Sequence, residues 1–319
     1  MAGLKKVKLK QERIHVFAPA TVANVGCGFD IFGFALHKPG DELELQISDE
    51  PGVTIDKITG EVADLPKNID QNTAGKALQA FYRALKPDFG ISVTLHKKMP
   101  IGSGLGSSAA SAVAAVFALN AMLESPVDKK TLLKYAIVGE RITSGASVHL
   151  DNIAACLWGG MILVHSKDPI DIVELPVPED LCCTIIHPQI EVRTKESRLI
   201  LKKEISLGDA VTQWGNIAGF VAALFRGDYS LLGSTMQDVV AEPARSMLIP
   251  HFKDMRQLAL ENGALGFGIS GSGPSVFALT VGPTAAESVG AAVSRFLERE
   301  DIGHDVYVSS INTEGPKIL

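Results

Sequence analysis

The chain has 319 residues, 46 % of them apolar and 21 % charged, which suits a globular protein of one large or two ordinary domains. Its net charge of −6 argues against nucleic acid as the main partner, and no apolar core follows the N-terminal lysines as a signal peptide would require. The four cysteines form no CxxC pair, which points to reduced thiols and a cytoplasmic protein, and none of the eight histidines pairs with another at metal-ligand spacing.

After a Lys-rich arm, RIHVFAPA (13–20) reads as a strand ended by Pro19. TVANVGCGFDIFGFAL (21–36) is turn-rich and suggests a loop that lines something. Asn24 there is either a turn residue or a ligand, and Asp30 either a helix-start carboxylate or a ligand. DELELQIS (41–48) alternates as a half-exposed strand does, and NTAGKALQAFYRAL (72–85) has helical spacing with a cap in Asn72 or Thr73.

ISVTLHK (91–97) is a strand leading into PIGSGLGSSAA (100–110), and a small-residue helix, too short and soft to span a bilayer, leads out. Gly102, Gly104 and Gly106 remove side-chain bulk, while Ser107 and Ser108 open a helix whose first N–H groups lack intrahelical partners. Free donors at the positive end of a helix make an anion cradle suited to phosphate. The loop has no Lys before its serines, so it is not a Walker A loop. Glu124 follows the helix with no intervening strand, so a dinucleotide fingerprint is also a poor fit.

A second helix (128–143) returns after a short connection. At about 1.5 Å per residue the first helix climbs roughly 23 Å and the second returns roughly 18 Å by Glu140. That brings Glu140 near Ser108, where a carboxylate and a hydroxyl would suit Mg²⁺; the alternative is a surface Glu paired with a cation. His149, Asp151 and Asn152 then crowd into a glycine-flanked segment that suggests a pocket wall. A strand (161–166) follows, and the Pro- and Asp-rich stretch 167–180 is the expected domain boundary.

In the second half, CCTIIHP (182–188) is a buried strand and 206–228 a long helix capped by Ser206. Arg198 and Arg245 suit a substrate anion, or else are surface residues. Residues 252–281 read as helix, strand, loop, strand, with SGSGP (270–274) as a second Gly/Ser turn. That turn either supplies further donors or packs its bare backbone against the first loop. A last helix (284–299) and strand (304–310) close the pattern.

The stretches APATVANVGCGFDIFG, PIGSGLGSSAAS and GISGSGPS, in this order, resemble the three motifs of the GHMP small-molecule kinases, the superfamily of galacto-, homoserine, mevalonate and phosphomevalonate kinases. Asn24 and Asp30, HLDN (149–152), TKESR (194–198) and EPAR (242–245) resemble the branch acting on L-homoserine. The resemblance implies an α+β, two-layer fold with two domains. These are an ATP-binding domain over 13–166, with a left-handed βαβ unit around the phosphate loop, and a ferredoxin-like domain over 167–319. It implies that ATP is wrapped by Pro100, Ile101, Gly102, Ser103, Gly104, Leu105, Gly106, Ser107, Ser108, Ala109 and Ala110, and that Ser108 and Glu140 hold Mg²⁺. It sets L-homoserine against Asn24, Asp30, His149, Asn152, Thr194, Arg198 and Arg245, with Asp30 and Asn152 orienting the attacking hydroxyl. The implied reaction yields O-phospho-L-homoserine on the route to threonine, in a homodimer without membrane or nucleic-acid partners. The Asp–Lys pair that some members use as a base is not identifiable in the sequence.

Overall fold

Strand β1 (Arg13–Ala23) opens the first sheet, its buried Ile14, Val16 and Ala18 alternating with more exposed residues. The sequence predicts an end at Pro19, but the strand runs on to Ala23. The ladder shifts register between Pro19 and Thr21, and that irregularity is where a residue without an N–H can be accommodated. In this computed structural model the described residues are 7–62, 64–145, 148–190, 192 and 194–319, excepting the side chains of Thr194 and Lys195.

The chain continues through β2 (Phe32–Ser48), β3 (Gly52–Gly60), helix α1 (Thr73–Leu85) and β4 (Gly90–Lys97). Then come α2 (Ser107–Met122), α3 (Lys129–Ser144), α4 (Leu150–Trp158), β5 (Met161–Lys167) and β6 (Ile170–Leu175). Strands β1 and β2 pair antiparallel, while β3 and β4 pair parallel with α1 between them in sequence. The helix caps follow the sequence: Asn72 accepts from Gly75 N–H at the start of α1, and Asp128 from Thr131 N–H at the start of α3. Helix α2 is apolar all round and buried, packed on β1 and β2 and covered by α1, α3 and α4. Its alanines allow that close approach on every side.

The second half comprises β7 (Leu181–Pro188), α5 (Thr194–Leu199), α6 (Leu207–Arg226), α7 (Tyr229–Thr235), α8 (Glu242–Arg245) and α9 (Phe252–Glu261). It ends with β8 (Ala264–Ile269), β9 (Val276–Val281), α10 (Pro283–Arg299), β10 (His304–Ser310) and β11 (Lys317–Ile318). Its antiparallel sheet has the order β10-β7-β9-β8, the 4-1-3-2 arrangement of a ferredoxin-like unit. The first sheet has seven strands and reaches beyond residue 166: β6 pairs with β5, and β11 pairs with the free side of β1. All four cysteines are buried free thiols. Among the described residues, no helix is long and apolar enough to cross a membrane.

Candidate active site

The Gly/Ser loop between β4 and α2 borders a cavity of about 640 Å³ lined from both halves of the chain. Gly102, Gly104 and Gly106 all have positive φ, between 68° and 78°. Gly106 caps α2 in a left-handed conformation without a side-chain bond, so the first N–H groups of the helix have no side-chain cap. A Cβ on Gly106 would lie 2.1 Å from Thr21 Oγ1, and one on Gly104 would lie 2.4 Å from the Ser270 carbonyl. Ile101, Gly102, Ser103, Gly104, Gly106, Ser107 and Ser108 line the cavity. The side chains of Leu105, Ala109 and Ala110 turn instead into the core.

The second Gly/Ser turn packs against the first. Ser270 Oγ donates to the Gly104 carbonyl at 2.7 Å, and Ser275 N–H donates to the Ser103 carbonyl at 3.1 Å. Asn24 ties the second turn to the segment after β1: its Nδ2 donates to the Gly271 carbonyl at 2.7 Å, and its Oδ1 accepts from Asp30 N–H at 3.0 Å.

The antiparallel return of α3 delivers Glu140 to the start of α2. Ser108 Oγ donates to Glu140 Oε1 at 3.1 Å, and His149 Nδ1 lies 3.3 Å from the same oxygen. Glu140 is only 2 % exposed, and its Oε2 has no hydrogen-bond partner among the described residues. An orphaned carboxylate oxygen in a polar cavity is a misfit unless a cation or water completes it, and the hydroxyl–carboxylate set suits a hard divalent ion. Burial pushes the His149 imidazole down, but the Glu140 hydrogen bond and the charges of Asp151 and Glu140 outweigh it and leave it raised. Buried Asp151 is pushed up to about 6 by desolvation and then by the nearby Asp30 charge.

Elsewhere in the lining, Arg198 Nη2 reaches both Asp30 oxygens, at 3.0 and 3.1 Å, and Lys167 Nζ lies 3.3 Å from Asp30 Oδ2. Arg245 is buried, donates to the Gly271 carbonyl at 2.9 Å and lies over the Phe29 ring. Neither arginine is the plain surface residue that the sequence left open. Asn152 Oδ1 accepts from Thr21 Oγ1 at 2.7 Å. Asn24, Asp30, His149, Asn152, Arg198 and Arg245 all line the cavity. The Thr194 side chain lies outside the described residues.

Sequence reasoning missed Lys97. Its ammonium is buried and ion-paired with Asp41, and it donates to the Ser107 carbonyl at 3.0 Å, Ser107 Oγ at 2.6 Å and Ser111 Oγ at 2.9 Å. The alternation in ISVTLHK already turns Lys97 to the buried side, since Ile91, Val93 and Leu95 share its parity. Lys167 was missed as well; it supplies a lysine beside Asp30 that no spacing in the sequence reveals.

Comparison with known proteins defines the class. Residues 72–160 match the family described as GHMP kinases N terminal domain, and residues 220–299 match GHMP kinases C terminal. A homoserine kinase of Chloroherpeton thalassium is 44 % identical over 95 % of this chain and 98 % of its own. One from Xylella fastidiosa is 38 % identical over 99 % and 97 %. The crystal structure of homoserine kinase from Cytophaga hutchinsonii superposes with a TM-score of 0.94 at 51 % identity, covering 98 % of this chain and 99 % of that one. The chain belongs to the homoserine kinase family of the GHMP kinases. A mevalonate kinase of L. major, at 18 % identity and a TM-score of 0.71, shares the fold.

Proposed function

We propose that the chain transfers the γ-phosphoryl group of ATP to the side-chain hydroxyl of L-homoserine, with Mg²⁺ bound at Ser108 and Glu140. The near-full-length identity to homoserine kinases carries the substrate assignment. The orphaned Glu140 Oε2 beside Ser108 supports the metal. The Gly102–Ser108 backbone receives the phosphates at the positive end of α2. The ion supplies charge neutralisation on the transferring phosphoryl group.

For homoserine, Arg198 and Arg245 serve its carboxylate, and Asn24, His149 and Thr194 complete its surroundings. Thr21 fixes Asn152 Oδ1, so the Asn152 amide nitrogen is left to orient the hydroxyl. Asp30 also orients substrate rather than serving as a base, because Arg198 and Lys167 already occupy its oxygens. Catalysis on this reading runs on alignment and charge, with no dedicated base. Domains 13–166 and 167–319 face each other across the cavity, with β6 and β11 reaching back to the first sheet.

The protein works in the cytoplasm as a homodimer. The exposed face of α6 supports dimerisation: Leu207, Val211, Trp214 and Phe225 form one apolar stripe at helical spacing, each more than half exposed. Val211→Glu is expected to yield a monomer in sedimentation analysis.

The test of the reaction is ADP release with Mg²⁺-ATP and L-homoserine, mevalonate, galactose or no acceptor. Release with homoserine alone is expected. Release with another acceptor overturns the substrate, and binding of ATP without transfer to any acceptor overturns the activity.

A further inference from the structure

The outward face of the first sheet carries a side-chain cluster that phosphoryl transfer does not use. In β1, β2 and β4 the residues Val16, Leu43, Leu45, Val93 and Leu95 point into the core. By the period of two, His15, Glu42, Glu44 and His96 point to the opposite face. The register sets His15 directly across from Glu44, and Glu42 directly across from His96. The two imidazole centroids are 5.8 Å apart, although 81 positions separate the residues in sequence (96 − 15). One ligand atom from each of His15, Glu44 and His96 lies within 4.8 Å of the others.

The hydrogen bonds are arranged in two shells. His96 Nε2 lies 2.9 Å from Glu44 Oε1, and His15 Nε2 lies 3.1 Å from Glu42 Oε2. The other oxygen of each carboxylate is held by a cation, Arg13 on Glu44 Oε2 and Lys98 on Glu42 Oε1. On its far side, His96 Nδ1 lies 2.7 Å from Thr59 Oγ1 of β3. Metal-bound imidazoles are commonly oriented by such a partner on the second nitrogen. The Arg13 and His96 hydrogen bonds hold the Glu44 carboxyl below the usual carboxylate range.

We propose that His15, Glu44 and His96 form a binding site for a divalent transition ion of the zinc class, with water as the fourth donor and Glu42 beside His15. Each ring would bind the ion through Nε2 as the neutral tautomer with its proton on Nδ1, which for His96 faces Thr59 Oγ1. Arg13 and Lys98 stay on the outer carboxylate oxygens. Two imidazoles with a carboxylate favour zinc, nickel or copper, whereas Mg²⁺ prefers an all-oxygen set such as Ser108 and Glu140. The two sites are on opposite faces of the sheet: His96 carries one, and its neighbour Lys97 anchors the phosphate loop on the other side.

The test is zinc titration of the full chain against a fluorescent chelator, in Mg²⁺-saturated buffer, with thermal unfolding as a second readout. One zinc per chain is expected, raising Tm by mass action, with affinity falling about 10–100-fold in His15→Gln and His96→Gln. Glu140→Gln is expected to leave zinc affinity unchanged. Thr59→Val tests the same geometry without touching a ligand and is expected to weaken binding about tenfold. Absence of saturable zinc binding overturns the proposal, as does affinity that survives both histidine variants. Loss of binding in Glu140→Gln instead assigns the ion to the phosphoryl-transfer site and overturns it equally.

Discussion

Replacing Lys97 by Met tests whether the buried pair under the phosphate loop supports that loop. The side chain is 2 % exposed, and its ammonium is shared among Asp41, Ser107 and Ser111. Met keeps the apolar stem but leaves the Asp41 charge buried without its cation, a change that costs about 3–5 kcal/mol in buried pairs. Asp41 retains two backbone donors, Lys98 N–H at 2.9 Å and Met99 N–H at 3.2 Å, which puts the expected loss near the lower end, about 3 kcal/mol. At about 2.1 cal/mol/K of unfolding entropy per residue over 319 residues, that loss lowers Tm by about 4–5 °C. Adding Asp41→Asn removes the stranded charge, keeps an acceptor for both N–H groups, and is expected to recover at least half of the loss. Urea and thermal unfolding of the four proteins complete the cycle, and the KM for ATP is expected to rise in the Met variant because Ser107 is released. A single-variant loss under about 1 kcal/mol, or a double variant as unstable as the two losses summed, would refute the reasoning.

Gly106→Ala is expected to lower kcat/KM at least about tenfold, from a left-handed backbone cost of roughly 1 kcal/mol plus collision with Thr21 Oγ1. Gly102→Ala meets nothing closer than the Val192 carbonyl at 3.9 Å, so it is expected to show only the backbone cost; steady-state kinetics on the pair separates the two effects. Glu140→Gln is expected to stay folded by circular dichroism and to lose roughly 100-fold in kcat, with a shifted Mg²⁺ titration. Asp151 has a carboxyl raised from 3.8 to about 6, so its contribution to stability is greatest below pH 4 and is lost as pH rises through 6. Asp151→Asn is therefore expected to flatten that part of the profile and to be the more stable protein at pH 7.5, by up to about 3 kcal/mol. Denaturant unfolding across pH 4–8 measures this, and an unchanged slope contradicts it.

The shape of the glycine loop before α2 was legible because it is local: alternate glycines and two serines read the same in sequence and in space. The Ser108–Glu140 contact was legible from helix rise alone, and the two side chains meet at 3.1 Å. What escaped notice depends on pairing between distant segments. Strand β3 buries only Ile55 and Ile58 and is recognisable chiefly by its ladder to β4. Helix α4 has no side-chain cap at His149, so it carries no start signal. Asp41 and Lys97 stand 56 positions apart, and although alternation turns Lys97 inward, neither residue alone names its partner. The histidine cluster is invisible for the same reason, because spacing along the chain says nothing about neighbours across a sheet.

The two glycine turns are joined through main-chain carbonyls, Ser270 Oγ on Gly104 and Ser275 N–H on Ser103, and Gly271 N–H ties the second turn to Ala23 at the end of β1. The shape of the first glycine loop and the seating of one half of the chain on the other are therefore one mechanical variable. Arg245 holds the Gly271 carbonyl that Asn24 also holds, so the acceptor side is geared to the same variable. A ligand that tightens either side tightens the other, and thermodynamic reciprocity requires ATP and the acceptor alcohol to change each other's affinity by the same factor. Cooperativity between the two substrates would then pass through backbone carbonyls, with Ser270, Asn24 and Arg245 as the side chains that hold them.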